Sequence, residues 1–170
     1  MGARTHTIDL ARLGLSSGEG SSLNASVEIE PVELGGQRYT ARGAVTDARL
    51  DISRTTTGYA LRLRYGLRLE GPCMRCLEDA ADQISIDARE VDQPGGGDDL
   101  RSPYLEGDEL DLKSWARDAL VLALPVRILC ATECRGLCSV CGVNLNDEPG
   151  HVHERDPDGR WAKLSEIRFD

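Results

Sequence analysis

Residues 59–70 read YALRLRYGLRLE, and their alternation decides the fold class. Leu61, Leu63, Tyr65, Leu67 and Leu69 share one parity, while Arg62, Arg64, Arg68 and Glu70 share the other. A period of two sustained over this length is the mark of a strand with one buried face. The apolar side belongs to a core. The arginine side has two readings. It is either an ordinary solvated sheet face or, with Arg75 from the following turn, a stripe able to engage phosphates of structured RNA.

Upstream, more strands are expected. Leu23, Ala25, Val27 and Ile29 alternate with polar residues, and Pro31 ends that run or marks an edge. Gly35-Gly36 makes a turn. Residues 38–52 are strand-like, with an apolar parity that changes between Val45 and Leu50, so a bulge is expected there. Residues 53–58 (SRTTTG) read as a hairpin turn, and residues 5–15 as a short strand or helical turn. Downstream, Ile84, Ile86 and Ala88 open another strand.

Residues 92–109 combine Pro, Gly and acids and read as a mobile acidic loop. A helix follows near 111–124: Asp111 is a good N-cap, Leu112, Trp115, Ala116 and Ala119 recur at helical spacing, and Pro125 stops it. Trp161, Leu164 and Ile167 suggest a short final helix. The expected fold is α+β: a β-rich antiparallel sheet or partly closed barrel over 1–91, the loop over 92–110, and the helix with a cysteine-rich zinc-knuckle appendage over 111–170.

The chemistry concentrates in the cysteines. Residues 130–142 read CATECRGLCSVCG, with Cys130, Cys134, Cys138 and Cys141 close together. Thiolates at this density suit a borderline divalent ion, and tetrahedral zinc is the usual occupant. Cys138-x-x-Cys141 followed by Gly142 reads as a zinc knuckle, and His151-x-His153 offers two further donors. One zinc is expected, on Cys138 and Cys141 plus two of Cys130, Cys134, His151 and His153. Cys73-x-x-Cys76 is a second pair. It reads as a knuckle sharing that zinc, as a turn without metal, or as a redox pair. The acids that follow it, Glu78, Asp79 and Asp82, disfavour the low thiol pKa a redox pair needs.

Composition narrows the function further. The 170 residues carry a net charge of −9, and only 4% are aromatic, so the core must be built from Leu, Val, Ile and Ala. Residues 73–125 hold five basic and thirteen acidic side chains. Bulk attraction to nucleic acid is therefore not expected, although a local basic stripe acts within a Debye length of about 8 Å. No run approaches the ~20 apolar residues of a membrane span, and the opening MGARTHTIDLARLG has no apolar core of a signal peptide. A cytoplasmic chain with reduced thiols is expected, which favours metal over disulfides. No P-loop, dinucleotide-binding or hydrolase motif is present, and nothing nominates an enzyme.

Four segments taken together, GPCMRCLED, ELDLKSWARDALVLALPVRILC, ECRGLCSVCGVNLN and the final RWAKL, resemble the YceD family, the large ribosomal RNA subunit accumulation proteins of bacteria and plastids. The match is ordered and runs from about residue 60 to 165. It implies a non-enzymatic role in accumulation of 23S ribosomal RNA and in large-subunit biogenesis, with a large-subunit precursor, its 23S RNA or a basic ribosomal protein as partner, no membrane and no small-molecule substrate. His151-x-His153 stands where many members carry Cys-x-Cys, an exchange that keeps zinc-ligand chemistry. Asp156-Pro157-Asp158-Gly159-Arg160 interrupts a shorter family segment. The competing readings are a zinc-ribbon-like regulator that binds DNA or protein, and a C-x-x-C thiol oxidoreductase.

Overall fold

A computed structural model describes residues 7–97 and 100–153. The elements in chain order are β1 (Thr7–Asp9), a 3-10 turn (Leu10–Leu13), β2 (Gly20–Glu28), β3 (Val32–Leu34), β4 (Gln37–Ala41), β5 (Val45–Arg54), β6 (Tyr59–Pro72), β7 (Asp79–Asp92), β8 (Leu105–Glu106), β9 (Glu109–Asp111) and α1 (Leu112–Ala123).

The alternating stretch is β6, and everything else is arranged on it. On one edge it pairs with β7 in unbroken antiparallel register, from Tyr59 opposite Asp92 to Pro72 opposite Asp79. On the other edge it takes two partners in succession, β5 along Tyr59–Tyr65 and β4 at Leu69 and Glu70. β2 pairs outside β5, and β3 outside β4. The result is a mostly antiparallel open sheet and not a closed barrel. A second, small sheet joins β1, β9 and β8.

The single strand expected over 38–52 is interrupted at Arg42-Gly43-Ala44. Ala41 opposes Leu69 and Ala48 opposes Tyr65, so seven steps of this chain match four of β6. Three residues are extruded rather than the one of an ordinary bulge. Ala44 takes a left-handed backbone (φ 53°) and its carbonyl accepts from Ile29 N at 2.8 Å. This odd-numbered excursion flips the buried parity from Tyr39 to Ala48, Leu50 and Ile52; no bulge lies between Val45 and Leu50, because Val45 is on the exposed side of a strand in unbroken register.

One face of the sheet is covered. Leu50, Ile52, Leu61, Leu63, Tyr65, Leu67 and Leu69 are buried beneath Leu110, Leu112, Trp115, Ala116 and Leu120. Asp111 caps α1, its carboxylate accepting from Ser114 N at 3.0 Å. The helix ends at Leu124, which turns extended (ψ 136°) because Pro125 excludes the helical conformation before it. The buried Tyr65 hydroxyl donates to the Ala116 carbonyl and fixes α1 against β6. The acidic segment is anchored at several points: Asp92 is buried, accepts from Ser102 N, and pairs with Arg101 at 3.1 Å; Leu105 is buried, and Asp108 accepts from the Tyr59 hydroxyl at 2.6 Å. The short final helix expected around Trp161, Leu164 and Ile167, and the Asp156–Arg160 segment, lie outside the described residues.

Candidate metal centre

The turn between β6 and β7 is built by Cys73–Glu78. Cys73 N donates to Glu78 O (2.7 Å), Leu77 N donates to Cys73 O (3.0 Å), and Arg75 N points at Cys73 Sγ (3.4 Å). Leu77 is left-handed, with φ 64°. The Cys138–Val143 turn repeats this pattern. Cys138 N donates to Val143 O (2.8 Å), Gly142 N to Cys138 O (2.9 Å), and Val140 N points at Cys138 Sγ (3.5 Å). Gly142 takes the left-handed position, with φ 78°. Both C-x-x-C pairs are thus knuckles of one geometry, in which a backbone N–H faces the first sulfur.

The two knuckles serve different ligand sets. Cys130 and Cys134 reach back to the hairpin tip. Cys73 Sγ lies 3.7 Å from Cys134 Sγ, and Cys76 Sγ lies 3.5 Å from Cys130 Sγ. Cys141 Sγ lies 3.2 Å from Nε2 of both His151 and His153, whose own Nε2 atoms are 2.9 Å apart. Within each set of four the donor atoms all lie within 4.8 Å of one another. Both sets have the donor types and the closed, four-fold spacing that suit a tetrahedral ion.

Sequence-distant backbone holds the first set in place. Met74 N donates to Ile128 O (3.0 Å), Leu137 N to Arg75 O (3.2 Å), and Arg75 Nη1 to Cys134 O (2.6 Å). Asn146, beyond the second knuckle, reaches back to the first set: its Nδ2 donates to Cys134 Sγ (3.5 Å) and its Oδ1 accepts from Arg135 N (2.8 Å). Glu148 Oε2 stands 3.5 Å from His151 Nδ1, which leaves Nε2 to face its set.

The electrostatics favour thiolate at the first cysteine of each knuckle. Burial pushes the Cys73 thiol up, but the N–H groups of Cys76, Arg75 and Cys130 outweigh it and bring it down to about 6. The N–H groups of Cys141 and Val140 bring Cys138 down to about 6. Asn146 lowers Cys134. Burial pushes Cys76 up to about 12, where neighbouring sulfurs leave no room for a further uncompensated negative charge.

With this geometry, the comparisons have a structural meaning. The family described as large ribosomal RNA subunit accumulation protein YceD matches residues 61–168. That span begins in β6 and contains all eight donors. The chain belongs to the YceD family. An uncharacterized protein of Mycobacterium tuberculosis is 32% identical over 169 residues, covering 95% of this chain and 80% of that protein. An uncharacterized protein of Mycobacterium leprae is 44% identical over 59 residues, 34% of this chain and 26% of its own. The chloroplastic large ribosomal RNA subunit accumulation protein YCED homolog 1 of Arabidopsis thaliana is 29% identical over 63 residues, 37% of this chain and 20% of its own. No solved structure matches the chain significantly.

In this YceD-family chain the donors nominated from sequence divide in a way their spacing does not announce. Cys130 and Cys134 stand with Cys73 and Cys76, and only Cys138 and Cys141 stand with His151 and His153. The two C-x-x-C pairs do not meet at one ion, and there are two ligand sets where one ion was expected. The arginine stripe is present on the outer sheet face, with each member engaged. Arg62 holds Asp87 through two hydrogen bonds (2.7 and 2.6 Å), Arg64 holds Asp51, and Arg68 lies 3.3 Å from Glu70. Arg75 is turned to the Cys134 carbonyl instead. Asn146 and Glu148 were not singled out from sequence. Their signal is there in retrospect, as polar residues close to the knuckle and the histidines.

Proposed function

We propose that this chain is a non-enzymatic factor of large ribosomal subunit biogenesis, sustaining 23S ribosomal RNA accumulation by holding a basic protein component of the precursor particle. The observation that carries it is the family match over 61–168, which spans the β6–β7 hairpin, the helix and both ligand sets. A binding role is supported by how the donors are used. Each set supplies four protein ligands, and a closed set of four is the structural rather than the catalytic kind, which keeps a position open. A protein partner is supported by charge. The chain is at −9, and the guanidinium groups of Arg62, Arg64 and Arg68 already face carboxylates, so little unpaired positive charge is offered to phosphates.

Depletion in the native cell tests the role. The ratio of 23S to 16S RNA should fall, and the protein should co-sediment with large-subunit precursors. An unchanged ratio, with the protein confined to the top of the gradient, would overturn the reading. Crosslinking on the precursor tests the partner: adducts to a basic ribosomal protein are expected, and adducts to RNA alone would transfer the role to an RNA contact.

A further inference from the structure

We propose that the chain holds two zinc ions with different jobs: one on Cys73, Cys76, Cys130 and Cys134 that staples the tip of the β6–β7 hairpin to the C-terminal segment, and one on Cys138, Cys141, His151 and His153 whose site is assembled on the first. The inference does not depend on the ribosomal role.

The sulfur separations point to a shared ion. A disulfide holds its sulfurs about 2.05 Å apart, far closer than the 3.7 and 3.5 Å found across the hairpin tip. A tetrahedron of thiolates with metal–sulfur bonds of about 2.3 Å has edges of about 3.8 Å. The surroundings are those of sulfur anions. The N–H of Arg75 faces Cys73, and the amide of Asn146 faces Cys134; the N–H of Val140 faces Cys138. Cys73, Cys76 and Cys134 are buried. Gathering several such anions out of water is opposed by their mutual repulsion unless a cation sits among them. Four thiolates, or two thiolates with two imidazoles, are the donor sets that select zinc among divalent ions.

The stretch that carries six of the eight donors cannot hold itself together by apolar burial. From Leu129 to His153 only Cys134 and Gly136 are buried. A segment with so little core needs a staple. The first set provides it by joining chain at Cys73 to chain at Cys134, across the whole of β7 and α1.

The second site then leans on the first. Gly136 lies against the Arg75 backbone so closely that an added Cβ would be 3.0 Å from Arg75 O, and its own φ is +80°. Its carbonyl accepts from Leu145 N at 2.9 Å, and Leu137 N donates to Arg75 O. Asn146, on the same strip of chain as Leu145, donates to the first-set sulfur of Cys134. The loop that presents Cys138, Cys141 and the histidines is thereby seated on atoms fixed by the first ion. The reverse dependence is weaker, since Cys73, Cys76 and Ile128 are placed by the sheet core.

Metal analysis and native mass spectrometry of the full chain should give two zinc ions. Titration of the metal-free chain with Co2+ separates the sites, because thiolate-to-cobalt absorption reports the number of sulfurs bound. The four-sulfur spectrum should saturate in the first equivalent and the two-sulfur spectrum in the second. His153→Ala should keep one ion with the four-sulfur spectrum. Asn146→Ala retains all eight ligands but removes the donor to first-set Cys134. The first site should weaken about tenfold, the scale of a lost partner behind a metal ligand, and the second, seated through the same strip of chain, should weaken with it. A single ion in the parent chain, or parallel or reversed filling, or an Asn146→Ala chain whose second site is unchanged, would each overturn the proposal.

Discussion

At the residue scale, the two knuckles form a natural comparison. Their hydrogen bonds match one for one, yet the left-handed position is Gly142 in one and Leu77 in the other. A left-handed non-glycine residue costs about 1–2 kcal/mol, and glycine loses about 0.5–1 kcal/mol through the freedom it has when unfolded. Leu77 is 55% exposed, so little packing is lost on removing it. Leu77→Gly is therefore expected to raise stability by up to about 1 kcal/mol, read by chemical denaturation with metal present. Leu77→Val, with a β-branched side chain at positive φ, should lower it. Destabilisation by Leu77→Gly would show that the side chain holds the tip by packing. Arg75 illustrates how far a residue's use can depart from its type: it reads as a cation for phosphate and is placed as a hydrogen-bond donor to the carbonyl of a ligand cysteine.

At the element scale, β6 separates its two faces cleanly. The apolar face carries the core, and the Tyr65 hydroxyl on the Ala116 carbonyl ties it to α1. Tyr65→Phe removes this second bond to a carbonyl that keeps its place inside α1 and should cost about 0.5–1.5 kcal/mol, the net worth of one hydrogen bond, by thermal or chemical denaturation. The outer face is a lattice of ion pairs, each half-exposed and worth roughly 0–1 kcal/mol. Replacing Arg62, Arg64 and Arg68 together with Gln should leave the fold intact and co-sedimentation with precursor particles unchanged. Loss of co-sedimentation in a folded variant would return the stripe to the role of an RNA contact.

The same face has a pH signature. Hydrogen bonds from Ser22 and Arg49, together with Arg64, hold Asp51 down at about 2. A carboxyl whose folded pKa lies below its unfolded one stabilises the fold above the unfolded value of about 4, and that contribution is lost as pH falls towards 2. Between pH 4 and 2 the parent should therefore lose stability more steeply than Asp51→Asn. Parallel curves would show that Asp51 is not coupled to folding.

At the scale of the whole molecule, the structure is a well-packed sheet and helix followed by a segment held by donors rather than by core. A strong chelator should raise hydrogen exchange across residues 126–153 and, in addition, at the Cys73–Glu78 turn, while β2, β5 and the body of β6 and β7 stay protected. Exchange confined to 126–153 would mean that the hairpin tip stands without its staple. Global unfolding would mean that the sheet itself depends on the ion.

The sequence by itself determined the kind of molecule this is. The alternation of residues 59–70, the capped helix ended by Pro125, and the inventory of thiol and imidazole donors are local properties, legible because strand period, helix capping and ligand chemistry act over a few residues. It also carried the family, since the knuckle and Asn144-Leu145-Asn146 segments are contiguous. The grouping of donors was decided only by the tertiary structure. C-x-x-C spacing makes a knuckle but does not say which second pair completes it. The density of cysteines over 130–141 points to a single local site, whereas the fold carries Cys130 and Cys134 back to a turn more than fifty residues earlier. The fate of the arginine stripe was decided in the same way. Asp51 and Asp87 come opposite Arg62 and Arg64 only through the registers of β5 and β7, and register is set by the burial of a whole face, a property that belongs to the assembled sheet.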